Sequence, residues 1–352
     1  MSLLDTLTWL VNIPSVTGNE ERICTEIIDR LRATYSEDEI LRIGNAVTIG
    51  RRSGRPLIVL YSHIDTVPVQ GNSTARLDGG RLFGLGTSDM KSGVAVQIEL
   101  LENAQVLAGQ YDVVGVFYDK EEGPSVENGL GAVLDSVAWL ADAVLSIVLE
   151  PTDLRIELGC NGVLNADVIF RGVAAHSARP WRGENAITKA GEWLAKLHTT
   201  EPEPVEISGL TYSEVFSVTK ISGGIANNVI PSEVVINLNH RFPPIYSIDQ
   251  AIERLRAVAA DADEVIIRDS ASAGLIPDGN PHLDRLAAIS GGQLSAKQGW
   301  TDVARLTGRG IDAVNFGPGE VAQCHQATES VEVAALSTGY SVMVDFLTGA
   351  VE

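Results

Sequence analysis

The sequence predicts an α/β protein in which helices cover both faces of a mostly parallel sheet, with an α+β domain inserted into it. Up to Gly159, apolar runs typical of fully buried strands alternate with helical segments, which is the pattern of a parallel sheet. After Gly159, the strand candidates alternate apolar and polar residues instead, as strands with one solvated face do. Beyond Pro277 the first pattern returns, so we expect the first domain to be interrupted by the second.

The N-terminal part of this first domain begins with two amphipathic segments. Apolar residues follow helical spacing over 3–11 and again over 19–31, and Pro14 separates the two helices. The other elements predicted for this domain are strands over 40–49, 57–61, 113–118, 143–149 and 314–316, a glycine-rich hairpin over 78–84, and helices over 129–140 and 331–347. A further helix is predicted to follow the glycine loop over 86–93 and to run through Leu101.

The inserted segment predicts a βαββαβ unit, the order of a ferredoxin-like domain. Ser247 and Gln250 have the spacing of a capping box at the start of its second helix. Its predicted strands cover 163–171, 214–221, 234–242 and 264–269, and its helices cover 185–197 and 247–260. We therefore expect residues 1–161 and 277–352 to form one discontinuous domain, and residues 162–276 to form the other.

Composition excludes several classes of protein. The net charge of −20 argues against nucleic acid or an anionic membrane surface as a partner. No apolar run is long enough to cross a bilayer, and the first residues lack the basic start of a signal peptide. Cys24, Cys160 and Cys324 are far apart, without a CxxC spacing. We therefore expect a cytoplasmic protein without disulfide bonds.

The strand over 57–61 leads directly to a histidine. His63 and Asp65 are two residues apart, so their side chains point to the same side of an extended backbone. A neutral imidazole is a good metal ligand, and a carboxylate beside it can accept its other N–H. A histidine hydrogen-bonded to an aspartate at a strand end, without any metal, satisfies the same pattern.

Further acidic and histidine residues also lie where a predicted strand or glycine loop ends. Taken singly, each has an ordinary explanation, such as a helix cap or a charged loop. In open α/β sheets, however, ligands bind outside the carboxyl ends of the strands. Together with His63, the residues at these ends are Asp89, Glu121, Glu122, Glu150 and His325.

This donor set suits two zinc ions, with cobalt or manganese as substitutes. One ligand must bridge the two ions, which in such centres lie about 3.5–4 Å apart. Successive side chains diverge, so one of the two neighbouring glutamates can bind metal while the other removes a proton from water and passes it to a leaving amine.

Four short segments and a late histidine resemble the M20 family of metallopeptidases and deacylases. They are His63-Ile-Asp-Thr-Val-Pro68, Gly86-Thr-Ser-Asp-Met-Lys91, Glu121-Glu-Gly123, Leu149-Glu-Pro-Thr152 and His325. The resemblance implies a phosphorylase/hydrolase-like catalytic domain with a co-catalytic dizinc site. It implies one zinc on His63 and Glu150, the other on Glu122 and His325, with Asp89 as the bridge, Glu121 as the general base and Asp65 orienting His63.

Within that family the chain is similar to the branch that removes succinate from N-succinyl-LL-2,6-diaminopimelate. The similarity lies in residues 172–181, 226–231, 237–242 and 299–302. It implies a homodimer formed through the inserted domain. It also implies that His176 polarises the scissile carbonyl, that Arg241 clamps a substrate carboxylate, and that Asn227 and Asn228 donate hydrogen bonds, with Arg305 a weaker candidate for the other end of the substrate.

We therefore expect a metal-dependent amidohydrolase that acts on a small N-acyl amino acid. The alternatives within the family are an acetylornithine deacetylase, another N-acyl-amino-acid hydrolase or a carboxypeptidase. An alternative of another class is a catalytically inactive metal-binding dimer. That alternative predicts the loss of a ligand or of the base, whereas the sequence retains all of them.

Overall fold

The computed structural model of the protein describes residues 1–349. Its strands are β1 (Ile40–Ile43), β2 (Ala46–Gly50), β3 (Leu57–His63), β4 (Arg76–Asp78), β5 (Arg81–Phe83), β6 (Asp112–Tyr118), β7 (Ala143–Val148), β8 (Ile156–Leu158), β9 (Gly162–Arg171), β10 (Ala175–His176), β11 (Glu203–Ile207), β12 (Leu210–Gly223), β13 (Val229–Ile230), β14 (Glu233–Phe242), β15 (Glu264–Ala271), β16 (Leu294–Ala296), β17 (Ala313–Asn315) and β18 (Ser330–Glu332). Its helices are α1 (Leu3–Val11), α2 (Glu21–Leu31), α3 (Lys91–Glu102), α4 (Ala104–Leu107), α5 (Gly129–Ser136), α6 (Ala186–Lys189), α7 (Gly191–His198), α8 (Ile248–Val258), α9 (Pro281–Ser290), α10 (Val303–Thr307) and α11 (Val333–Thr348).

The chain divides into two compact units. Unit 1 consists of Met1–Gly159, Leu275–Ser295 and Thr301–Glu352, and unit 2 of Cys160–Gly274 and Ala296–Trp300. Over the described part of the chain, none of the helices is both long and apolar enough to cross a membrane.

Unit 1 is built on an eight-stranded sheet in the order β1-β2-β6-β3-β7-β17-β8-β16. Its centre is parallel, because β3 pairs with β6 and β7 in that sense and β7 pairs with β17 likewise. Every residue of β3 and of β6 is buried, as expected of strands whose two faces are both covered. The predicted α/β class with a mostly parallel sheet is confirmed, and it brings several strand ends to one edge.

Unit 2 is built on an antiparallel sheet in the order β11-β12-β14-β9-β15. Buried and half-buried residues alternate along β14, so one face carries the core. That core includes Trp193 of α7 and Leu255 of α8, which pack with Val168 and Ile236 of the sheet. Leaving out the edge strand β11, the sheet has the strand order of a ferredoxin-like fold, which confirms that prediction. The capping box of Ser247 and Gln250 is also present.

Several predicted elements were too long. The strand expected over 40–49 is a hairpin, because Gly44 has a φ of +63° and turns the chain between β1 and β2. The helix expected over 185–197 is divided at Ala190 into α6 and α7. The last helix starts only at Val333, since residues 330–332 pair with β5 as a strand.

Candidate metal centre

The candidate centre lies at the carboxyl ends of neighbouring parallel strands of unit 1. In the sheet, His63 at the end of β3 is level with Tyr118 at the end of β6, and Tyr61 is level with Val148 at the end of β7. Glu121 and Glu122 follow β6 within four residues, and Glu150 follows β7 after one residue. The sheet register therefore brings these ends together, as the sequence predicts.

His63 is enclosed by carboxylates on both sides of its ring. Its Nδ1 lies 3.1 Å from the main-chain carbonyl of Asp65 and 3.4 Å from that residue's carboxylate. Its Nε2 lies 3.1 Å from Asp89 Oδ1 and 3.9 Å from Glu150 Oε1. A carbonyl that accepts from Nδ1–H leaves the Nε2 lone pair directed at the carboxylates, which is the orientation a metal ligand needs.

The two oxygens of Asp89 face different imidazoles. Oδ1 lies 3.1 Å from His63 Nε2, and Oδ2 lies 3.5 Å from His325 Nε2. His325 Nε2 is also 3.1 Å from each carboxylate oxygen of Glu122. Potential ligand atoms of His63, Asp89 and Glu122 lie within 4.8 Å of one another. His63, Asp89 and Glu122 thus form a group that could hold a divalent metal ion.

The carboxylates of this edge repel one another. Burial raises the pKa of Glu121 well above its usual range; His63 opposes this shift, but the charges of Glu150, Asp302 and Glu122 add to it. The hydrogen bond with Glu122 raises the pKa of His325 to about 9, despite partial burial. A centre with so many acidic groups is stabilised by divalent cations, so the donor set fits the metal ions implied by the sequence resemblance.

Asp65 has a further role that the sequence analysis missed. Its Oδ1 accepts a hydrogen bond from the main-chain N–H of Glu121 at 3.0 Å, and its Oδ2 accepts one from that of Glu122 at 3.1 Å. The hydroxyl of Thr17 donates to the same carboxylate at 2.9 Å. Burial raises the pKa of Asp65, but His63 and these donors lower it by more, so the net shift is downward. Asp65 therefore positions the glutamate pair as well as His63.

Comparison with known proteins identifies the family. The profile of the peptidase family M20/M25/M40 matches residues 59–349. The chain belongs to this family. It is therefore a metal-dependent amidohydrolase that uses divalent metal ions, as the sequence resemblance implies.

Curated relatives match this M20 chain over almost its whole length. It is 40% identical to the putative succinyl-diaminopimelate desuccinylase DapE of Mycobacterium tuberculosis H37Rv, over 97% of this chain and 96% of the relative. It is 37% identical to the succinyl-diaminopimelate desuccinylase of Corynebacterium glutamicum, over 96% of this chain and 94% of the relative. Acetylornithine deacetylase of Myxococcus xanthus is 29% identical to it, over 95% of this chain and 91% of the relative.

Solved structures share the fold. Aminopeptidase PepT from Bacillus cereus superposes with a TM-score of 0.77 at 21% identity, over 98% of this chain and 97% of that chain. The M20 metallo-carboxypeptidase Sso-CP2 from Sulfolobus solfataricus gives a TM-score of 0.74 at 14% identity, over 99% of each chain. Because these identities are low, the likeness establishes the two-part M20 architecture and not the substrate.

Glu329 holds the main chain of the loop that carries Asp89. No sequence pattern indicated this role. Its Oε1 accepts hydrogen bonds from the main-chain N–H groups of Ser88 at 2.9 Å and Asp89 at 3.0 Å. Its Oε2 accepts from that of Gly86 at 2.8 Å. Burial raises the pKa of Glu329 to about 7, although these N–H groups lower it. The one sequence signal is an acidic residue four positions after His325.

The loop after Glu122 is held by residues at the start of α10 and within it. Asn128 donates to both oxygens of the buried Asp302, at 3.2 and 2.9 Å. Arg305 lies 2.7 Å from Asp302 through Nε, and its Nη2 donates to the carbonyl and hydroxyl of Ser125 at 2.5 and 2.8 Å. The Arg305 guanidinium thus has partners inside unit 1, and its contact with substrate stays a prediction.

The remaining predicted residues lie in unit 2 and form two groups. His176 ends β10, which pairs with β13, and the carbonyl of Asn228 accepts from the Ser177 N–H at 2.9 Å, which brings His176 close to the Asn227–Asn228 turn. Arg241 lies near the far end of β14, where its Nε donates to Asn239 at 3.2 Å. Glu233, at the other end of β14, is level with Arg171, where β9 ends and the chain runs on to His176. Residues 233 and 241 are roughly 25 Å apart along an extended strand. Within one copy of unit 2, these two groups therefore do not meet.

Proposed function

We propose that the protein is a dizinc-dependent amide hydrolase that removes succinate from N-succinyl-LL-2,6-diaminopimelate. Asp89, with one oxygen toward each of two imidazoles, is the observation that supports the reaction. The substrate is inferred from the near-full-length relatives that carry this activity in their names. The product LL-2,6-diaminopimelate is a precursor for lysine and peptidoglycan synthesis.

The residues divide into two ligand sets that share one carboxylate. We assign one zinc to His63 and Glu150, the other to Glu122 and His325, and the bridge to Asp89. Cobalt or manganese can substitute, because imidazole and carboxylate donors also suit these ions. When bound, the cations supply Lewis-acid activation of the carbonyl and of the attacking water.

Glu121 is the proposed general base. It lies beside the cluster, within reach of the charges of His63, Glu150 and Glu122, without a place in either ligand set, so its carboxylate is left to accept a proton from water. Its carboxylate removes a proton from water as the water oxygen attacks the amide carbon. The same proton then passes to the amine nitrogen as the C–N bond breaks, which returns the carboxylate to its starting state. Asp65 keeps the Glu121 main chain in place through this cycle.

Unit 2 offers a surface for the proposed homodimer. Strand β11 pairs only with residues 210–214 of β12. Among the described residues, positions 215–223 of β12 pair with β14 on one side and with no named strand on the other. Ile221 in this segment is 55% exposed. An open edge with exposed apolar side chains is suited to pairing with another chain, and we propose a second copy as that chain.

The dimer also accounts for the separated substrate residues. If His176 of one copy and Arg241 of the other serve the same active site, their separation within one unit is no obstacle. His176 then donates to the oxyanion that develops on the carbonyl, a role worth a few kcal/mol of barrier. Arg241 binds a substrate carboxylate through its planar guanidinium, and Asn227 and Asn228 add hydrogen bonds.

A substrate panel tests the assignment. The zinc-loaded protein is assayed with N-succinyl-LL-2,6-diaminopimelate, N-acetylornithine and simple dipeptides, before and after chelation. We expect desuccinylation to have the highest kcat/KM, to stop on chelation and to return with Zn²⁺. A higher kcat/KM for N-acetylornithine would favour the deacetylase alternative, which the Myxococcus xanthus relative also supports.

The base is tested with Glu121→Gln. The variant should bind both cations as the wild type does, while kcat falls by roughly 10²–10⁴-fold, the usual contribution of a positioned base. Glu127→Gln is the matched control, since Glu127 lies in the same loop with a side chain that is 56% exposed. If Glu121→Gln retains near wild-type kcat, Glu121 is not the base.

A further inference from the structure

Glu329 connects two parts of the metal centre that are far apart in sequence. Its carboxylate takes three main-chain N–H groups of the loop that ends in Asp89, at 2.8–3.0 Å. Its own carbonyl accepts from the Gly84 N–H at 3.0 Å, and its N–H donates to the Gln326 carbonyl at 3.1 Å. The segment that carries His325 and the loop that carries Asp89 are thus joined through one residue.

The Glu329 carboxylate that makes these contacts is buried. Glu329 is 2% exposed, and burying a charge is costly unless it is hydrogen-bonded. The buried cation Lys91 directs its hydrogen bonds to the carbonyls of Leu10 and Ile13, at 3.1 and 2.8 Å. The hydrogen bonds to the Glu329 carboxylate described above come from main-chain donors, and such donors favour the charged form against the cost of burial.

We propose that Glu329 is a positioning residue that fixes the bridging Asp89 relative to His325 and so sets the affinity of the second cation, the one assigned to Glu122 and His325. The inference rests on the proposed two-cation centre. His63 and Glu150 are instead held by strand ends of the central sheet, so the first cation depends less on Glu329. Residues that orient metal ligands in this way typically affect metal affinity by 10–100-fold.

The test is a cation titration of Glu329→Gln. Glutamine keeps one acceptor oxygen and replaces the other by an NH₂ donor. The main-chain N–H groups that the replaced oxygen accepted from then lose their acceptor. Mn²⁺ is titrated into metal-free wild type and variant, with bound metal measured by equilibrium dialysis and the coupled two-ion signal followed by EPR. We expect the Kd of the weaker cation to rise roughly 10–100-fold, the coupled signal to decline, and the Kd of the tighter cation to change by less than about threefold.

Glu332→Gln is the matched control. Glu332 lies three residues further on, its side chain is 58% exposed, and it pairs with Arg81, so this variant should titrate as the wild type does. If Glu329→Gln does not fold, Glu329→Asp is titrated instead; it keeps the charge but withdraws it by one methylene group, and the same selective weakening is expected.

The outcomes separate this inference from the proposed function. Two cations in the wild type and selective weakening of one in the variant support the inference. Equal affinities in both proteins overturn it and leave the two-cation centre intact. Equal weakening of both cations, with a lower melting temperature of the metal-free variant, also overturns it, because the role is then structural only. A wild type that binds fewer than two cations overturns the proposed centre and the inference with it.

Discussion

Asp65→Asn is the substitution that most directly tests how the glutamate pair is positioned. The aspartate offers one oxygen to the N–H of Glu121 and the other to that of Glu122, at 3.0 and 3.1 Å. Asparagine keeps one oxygen and replaces the other by a donor. One of the two main-chain N–H groups then loses its acceptor and faces an NH₂ group.

The magnitude follows from these contacts. A hydrogen bond to a charged group contributes about 1.5–3 kcal/mol, and a buried donor without an acceptor costs about 1–3 kcal/mol. Counted with their main chains, residues Glu121 and Glu122 are half-buried, so water can reach part of the loop. We therefore expect the loop to lose about 3 kcal/mol of local stability, which lies in the lower half of the sum of these two ranges. A local stability loss of this size corresponds to roughly 100-fold faster opening-limited exchange of the affected N–H groups.

Hydrogen–deuterium exchange of the metal-free protein measures this loss, with attention to peptides that cover 118–123. Turnover by the zinc-loaded protein should fall about 10–100-fold, since the proposed base and one proposed metal ligand share the loosened loop. Asp78→Asn is the control, because Asp78 is on the exposed strand β4 and its side chain is 67% exposed. Unchanged exchange over 118–123, with kcat within twofold of the wild type, would refute the reasoning.

Two further predictions concern other networks. Burial raises the pKa of Glu214, but His240 and Arg254 lower it by more, so the net shift is downward. The ionised carboxylate therefore stabilises unit 2 at pH values above its ordinary pKa of 4.5. This stabilisation is lost as the pH falls through the lower pKa of the folded state. Glu214→Gln should therefore cost about 3 kcal/mol near pH 7, and urea unfolding should show the gap to wild type closing below pH 4.5; a gap that does not vary with pH would contradict this. Arg305→Gln removes the hydrogen bonds from the guanidinium to Ser125. Steady-state assays should show that the substitution lowers kcat more than it raises KM. A rise in KM alone would indicate that Arg305 binds substrate.

Much of the candidate centre was predictable because its residues lie at ends of locally recognisable elements. The apolar run before His63 and the one before Glu121 identify buried strands without knowledge of their neighbours. Parallel strands in one sheet present their carboxyl ends at one edge, so the grouping of His63, Glu121 and Glu150 follows from fold class alone. Element bounds were less predictable: the Gly44 turn and the division at Ala190 depend on one or two residues within otherwise continuous patterns.

Hydrophobic periodicity and side-chain chemistry are local properties, so the α/β class, the ferredoxin-like insert and the chemical types of the candidate ligands could be predicted from the sequence. Three contacts arise from the fold and from no local pattern. Asp89 divides its oxygens between two imidazoles, Asp65 binds the main chain of the glutamate pair, and Glu329 supports Asp89 from 240 residues away. Such partners are chosen by packing, since a buried polar group must satisfy its hydrogen bonds with whatever the fold brings beside it.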